Sequence, residues 1–155
     1  MKLLVSACLL GEPCRYDGKS KPCEAVLRLR KKYELIPVCP EVLGGLPIPR
    51  VPAERQRDGS VKRADGADVS EEYAKGAAET LQIARENHCA VAILKEKSPS
   101  CGSGRIYDGS FTRTLTDGDG VCAELLKANG IYVLGESEAE AGASALCKGE
   151  GSDGH

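Results

Sequence analysis

Four short apolar runs punctuate this chain: residues 2–7 (KLLVSA), 34–38 (ELIPV), 90–95 (AVAILK) and 131–134 (IYVL). Each is continuous rather than alternating, as expected for strands buried on both faces of a parallel sheet. Helical patterns lie between them. Residues 24–33 put Val26, Leu27, Leu29, Arg30 and Tyr33 near one face, and Arg28, Lys31 and Lys32 suit the negative end of a helix dipole. Residues 70–88 repeat Tyr73, Ala77, Leu81 and Ala84 at helical spacing, with Asp68 and Glu71 placed as a capping pair before them. A third helix is expected from a cap at Asp119 through Asn129, ended by Gly130. Strands alternating with helices predict an α/β fold: a Rossmann-like layered arrangement with a short, mostly parallel sheet flanked by helices. The stretches 60–68 (SVKRADGAD) and 105–113 (RIYDGSFTR), each with a glycine-containing turn, read as small hairpin insertions. The expected organisation is one domain over 1–135. A short helix and a flexible tail, rich in Ala, Glu, Gly and Ser, complete the chain over 136–155.

A chain of 155 residues, 41% hydrophobic and 28% charged, fits a single globular domain able to bury its own core. Its formal net charge of -2 offers no basic field for a phosphate backbone, so bulk nucleic-acid binding is not expected. No apolar run approaches the ~18–20 residues of a membrane span. The apolar start at 1–5 (MKLLV) is too short for a secretory signal, and Gly11-Glu12-Pro13 comes soon after it. A soluble cytoplasmic protein is expected; the pattern specifies no oligomeric state.

Two histidines, His88 and His155, leave little material for triads or histidine-rich zinc sites, whereas eight cysteines are present. That number falls below the ~8–10% typical of a disulfide scaffold and, in a reducing compartment, points towards metal binding or catalysis. Ligands of open α/β sheets gather at the carboxyl ends of the strands. Cys8 lies just past the first apolar run, Cys39 the second and Cys101 the third, each in a turn rich in Gly or Pro. A single cysteine at a strand end is most often a small buried hydrophobe. Three of them converging on one sheet edge is a different proposition. Cys89 and Cys122 read as packing residues, Cys147 as an incidental thiol, and Cys14 and Cys23 as ambiguous neighbours of Cys8. No Cys-x-x-Cys occurs, so zinc-ribbon and thioredoxin-like signatures are missing. Thiolates without histidines suit an iron–sulfur cluster. Three thiolates on a four-iron cluster would leave one iron open as a soft Lewis acid, for which a sulfur-bearing substrate is the natural ligand.

The segments SACLLGEPCRYDG, PVCPEVLGGLPIPR and KSPSCG, in that order, resemble those of a family of small domains that includes the thiouracil desulfidases. The likeness runs from Met1 to about Leu134. It implies an α/β domain with a [4Fe-4S] cluster on Cys8, Cys39 and Cys101, one iron open. It also implies non-redox removal of sulfur from a thiolated pyrimidine of the 2- or 4-thiouracil type, releasing sulfide. A small thiolated nucleobase or nucleoside is the expected partner, since this chain has neither an added domain nor a basic patch. Hydrolysis of a thiocarbonyl needs a base. Glu41, two residues after Cys39 and beside Val42, Leu43 and Leu46, is the candidate; apolar surroundings and an anionic cluster would make it a better base near neutrality. Ser98 best matches a catalytic serine of the family, with Ser100 as its competitor and an alternative substrate contact. Arg15, Asp17 and Arg50 are candidates for reading the edges of the ring, although pairing of Glu41 with Arg50 is an equally ordinary outcome.

Two other classes remain open on sequence. A metal-free sulfur-transfer or redox protein would use Cys8 and Cys14 as a reactive pair. It predicts colourless active protein sensitive to Cys14→Ser. An iron–sulfur carrier module would hold a cluster and hand iron on without turnover.

Overall fold

The computed structural model of the protein describes residues 1–139. In chain order the elements are β1 (Lys2–Ser6), α1 (Glu24–Arg28), β2 (Glu34–Val38), α2 (Pro40–Leu43), β3 (Ala53–Arg55), β4 (Val61–Arg63), α3 (Ser70–Glu86), β5 (Val91–Leu94), β6 (Arg105–Tyr107), β7 (Leu115–Asp117), α4 (Val121–Ala128) and β8 (Tyr132–Gly135). Short 3-10 turns at Ala7–Leu10, Leu29–Lys31 and Glu136–Glu138 complete them. The four apolar runs form one fully parallel sheet in the order β2-β1-β5-β8. Only the two central strands match the expectation of burial on both faces. β1 and β5 are almost wholly buried, whereas β2 and β8 are partly exposed edges. Edge position is what admits Pro37, whose missing N–H would break a ladder in a central strand.

Side chains of the sheet alternate between two cores. Leu4, Val38, Ala92 and Leu94 pack with Ala77, Leu81 and Ala84 of α3 and with Cys122, Ala123 and Leu126 of α4. Leu3, Val5, Val91 and Ile93 pack on the other face with Val26, Leu29, Cys8 and Cys14. The chain runs from β1 outward to β2, then back past β1 to β5 and on to β8. The direction therefore reverses between β1 and β5, which opens a crevice beyond their carboxyl ends. Ser6 bridges the two ends, its Oγ accepting the Lys95 N–H at 2.9 Å.

Both expected insertions are hairpins, with different limits. Residues 60–68 hold β4 and a second tight turn, but the partner strand is β3, upstream. Residues 105–113 hold β6 and the hairpin tip, and β7 lies beyond them. Two caps also differ. Val69, not Asp68, is the N-cap of α3, and Asp68 instead accepts the Ser70 N–H at 2.8 Å. Gly120 caps α4. Asp119 is drawn away to the Gly104 N–H and to Lys127 Nζ, at 2.8 and 2.9 Å. The first helix is also shorter than its periodicity, tightening to 3-10 after Arg28. Of the expected tail helix only the turn at Glu136–Glu138 falls within the described residues, and residues 140–155, Cys147 included, lie outside them.

A contact of two glycines sets α2 on α3. A Cβ on Gly44 would stand 1.9 Å from the Glu72 carbonyl oxygen, and one on Gly76 would stand 1.8 Å from that of Pro40. Backbone meets backbone there, and nothing flexible can yield. Gly76→Ala, which in a free helix would stabilise by about 1 kcal/mol, is instead expected to destabilise by about 3 kcal/mol. A lower urea midpoint checks this; an unchanged or raised midpoint would contradict it.

Candidate active site at the carboxyl edge of the sheet

A cavity of about 570 Å³ occupies the crevice, a volume typical of small-molecule sites. Its floor is built from residues at and just past the strand ends: Ser6, Ala7 and Cys8 at β1, Cys39, Pro40 and Glu41 at β2, and Lys95–Ser98 and Cys101 at β5. The two hairpins wall it, contributing Ala53, Glu54, Tyr107, Phe111 and Arg113. Tyr73 of α3 reaches it from one side and Cys14, Arg15 and Tyr16 from the other.

Cys8, Cys39 and Cys101 thus reach one cavity from three strands. Cys8 and Cys101 are buried and Cys39 is half-buried at the N-cap of α2, with Pro40 in the first turn where a missing N–H costs nothing. Of the two thiols left ambiguous by the sequence, Cys23 does not line the cavity and Cys14 does. Cys14 is buried on the same wall, within hydrogen-bonding contact of both Cys8 and Cys39. Its backbone carbonyl faces Cys39 Sγ at 3.8 Å. Contact with Cys39 pulls the Cys14 thiol down, but contact with Cys8 and burial outweigh it and leave it pushed up to about 11. The Cys14 contact and burial raise Cys39, and burial raises Cys101. A metal that binds these sulfurs must displace their protons. Cys89 and Cys122 are buried in the core and do not line the cavity, as expected of packing residues; Cys122 packs in the same cluster as Cys101.

Among the described residues no three His, Cys, Asp or Glu side chains lie close enough together to hold a single metal ion. The sulfur-only donors at three strand ends suit a polynuclear cluster better, since each thiolate there binds its own iron.

Glu41 is held on both carboxylate oxygens. Oε2 pairs with Arg50 at 2.5 Å, and Oε1 accepts from Ser98 Oγ at 3.4 Å. The pair is largely buried, with side-chain exposures of 6% for Arg50 and 15% for Glu41. The expected apolar surroundings are not what Glu41 finds: Val42 is exposed, and a guanidinium stands beside the carboxylate. Arg50 also donates to the carbonyls of Pro47 and Cys14, both at 3.1 Å. It lines the cavity and ties the Cys14 loop to α2.

The two serines part company. Ser98 lines the cavity, and its Oγ accepts the N–H groups of Ser100 and Cys101 at 3.1 and 3.0 Å. With both lone pairs engaged, its one proton is free to point at Glu41. Ser100 is 0% exposed and off the cavity wall, its hydroxyl without a hydrogen-bond partner among the described residues. The turn carrying both seats the N-terminus of α4. Pro99 and Ser100 carbonyls accept the N–H groups of Val121 and Cys122, both at 2.9 Å, which a helix start otherwise leaves unpaired. Gly120 makes the seat, since a Cβ there would lie 2.4 Å from Ser100 backbone atoms. Asp17 is exposed and off the cavity, its Oδ1 accepting the Lys19 N–H at 3.0 Å. Arg15 does line the cavity. Sequence reasoning passed over Tyr73, Glu54, Tyr107 and Phe111; the available signal was the placement of two hairpin insertions next to strand ends.

No described helix is long and apolar enough to cross a membrane. The 2-thiouracil desulfurase family matches residues 3–138. The uncharacterized protein YbbK of Bacillus subtilis (strain 168) is 44% identical over 145 residues, covering 88% of this chain and 96% of that protein. A solved structure of the [4Fe-4S]-dependent thiouracil desulfidase TudS superposes with a TM-score of 0.87 at 44% identity, covering 94% of this chain and 97% of that one. With strand order, cavity and near full-length likeness in agreement, the chain belongs to the 2-thiouracil desulfurase family.

Proposed function

We propose that this chain desulfurates a thiolated pyrimidine of the 2- or 4-thiouracil type, at a [4Fe-4S] cluster held by Cys8, Cys39 and Cys101. The observation that carries the reading is the convergence of three sulfurs from three strand ends on a cavity that also holds the Glu41–Ser98 pair. The family and the cluster dependence of TudS support it. The reaction exchanges one atom: water oxygen replaces sulfur at the ring carbon, and sulfide leaves with the two protons of water. No electrons are gained or lost.

Held by Cys8, Cys39 and Cys101, the cluster would leave one iron open and would supply a soft Lewis acid for the substrate sulfur. Glu41 takes the proton of the attacking water on Oε1, the oxygen facing Ser98. Arg50 holds Oε2 and so fixes the direction of Oε1. Ser98 keeps its single proton pointed along the floor of the cavity, where it steadies the carboxylate or donates to the ring. Burial and the neighbouring Glu41 charge raise the Tyr73 hydroxyl, so it stays a donor on the side wall at neutral pH.

Turnover in H2¹⁸O, without oxygen or reductant, tests this reading. One ¹⁸O in each uracil formed, with one sulfide released, is expected; unlabelled product or a requirement for reductant would contradict it. Ser98→Ala is expected to lower kcat by about 10- to 100-fold, somewhat less than loss of a general base. Ser100→Ala removes a buried hydroxyl that has no partner among the described residues, and is expected to be neutral or stabilising by up to about 1 kcal/mol, with turnover kept. Steady-state rates and urea midpoints of the two variants check the pair.

The contact of Cys14 with Cys8 and Cys39 favours one second reading, metal-free thiol chemistry. It predicts that iron-free protein is active and that Cys14→Ser abolishes the activity. The cluster reading predicts the reverse on both counts.

A further inference from the structure

The hairpin tip between β6 and β7 is held in place by an arrangement that closing a hairpin does not require. Glu54 of β3 is 9% exposed, and its carboxylate Oε1 accepts the N–H groups of Gly109 and Phe111 at 2.9 and 3.2 Å. Gln56 adds a bond from Nε2 to the Gly109 carbonyl at 3.4 Å. Within the tip, Phe111 and Arg113 both have left-handed backbones, φ 59 and 61. That region is unfavourable for a bulky side chain and recurs at ligand clamps. Phe111 is the one phenylalanine of the chain; the residue lines the cavity and is left 37% exposed. A buried carboxylate, a strained backbone and an exposed aromatic ring are each unfavourable taken singly. Together they set Phe111 into the lining of the cavity that Cys39, Glu41 and Ser98 also line.

We infer that Phe111 is a specificity-determining residue that stacks on the face of the substrate ring, and that Glu54 is the positioning residue that holds it there. This inference rests on a flat heteroaromatic ring occupying the cavity, as in the function proposed above. Stacking on a π face tolerates different ring substituents, and so selects for planarity. The sulfur and the polar ring edges are then left to the floor.

The test compares reconstituted wild type with Phe111→Ala, Phe111→Tyr, Glu54→Gln and the double variant Glu54→Gln/Phe111→Ala. Calorimetric binding of uracil, the non-reacting ring, is read beside kcat and KM for 2-thiouracil. Phe111→Ala is expected to weaken uracil binding and raise KM by about 10-fold or more, with kcat within about 3-fold. Phe111→Tyr is expected to restore both. Glu54→Gln should shift KM in the same direction by less, and the double variant should bind no more weakly than Phe111→Ala alone, because Glu54 acts through the ring. Wild-type affinity and KM in Phe111→Ala would overturn the inference, as would fully additive losses in the double variant. Uracil binding weakened by Phe111→Ala in a protein that turns over no thiouracil would sink the desulfuration reading and leave the ring contact standing.

Discussion

Alanine at Cys8, Cys39 or Cys101 is expected to yield a folded protein that retains no four-iron cluster and releases no sulfide from thiouracil above background. Folding should survive because the cores on both faces of the sheet are dominated by Leu, Val, Ile and Ala, and each substitution removes a single sulfur at a strand end. The cluster should not survive, because two thiolates in place of three leave half of its irons without a protein ligand. The controls lie in the same chain. Cys89→Ala and Cys122→Ala alter core residues that do not line the cavity, and should keep the cluster. Cys14→Ala alters the cavity wall and should keep it too. Iron and acid-labile sulfide content after anaerobic reconstitution provide the measurement. A full cluster in any of the three ligand variants would reassign that ligand, with Cys14 the first replacement to consider because it touches Cys8 and Cys39.

Glu41→Gln is expected to keep the cluster and lower kcat by about 10² to 10⁴, the usual contribution of a positioned base. The amide preserves the shape of the side chain but cannot take a proton from water. Stability is also expected to fall. The substitution leaves the Arg50 guanidinium buried without its anion, and breaking such a pair typically costs about 3–5 kcal/mol when fully buried. Part of that should be recovered, since Arg50 keeps the carbonyls of Pro47 and Cys14. Rates are therefore compared per cluster-loaded, folded molecule. Wild-type kcat in Glu41→Gln would remove Glu41 from the base role.

The sheet was legible because its signal is local. Four continuous apolar runs separated by helical periodicity leave little choice but parallel strands, and parallel strands bring Cys8, Cys39 and Cys101 to one edge. The wall of the cavity was less legible, because it depends on long-range choices. β3 pairs with β4 across a turn, and Glu54 of β3 reaches the tip of a hairpin more than fifty residues later. No pattern of hydrophobicity encodes such a reach. The serine pair shows the same limit. Ser98 and Ser100 are two residues apart in one turn, and only the packing of that turn on α4 sends one hydroxyl to the cavity and buries the other. Asp119 had a sound local argument as a helix cap. It was displaced by Lys127 and the Gly104 N–H, while carbonyls of the Ser98–Cys101 turn satisfied the helix start instead.

The central claim, sulfur removal at a cluster in this cavity, is tested most directly by sulfide release from 2-thiouracil and 4-thiouracil under anaerobic conditions. The same protein is assayed before and after iron–sulfur reconstitution. The account predicts release only after reconstitution, in step with cluster content, and with uracil as the other product. Release that is equal without iron, or none from either compound despite a full four-iron cluster, would contradict it.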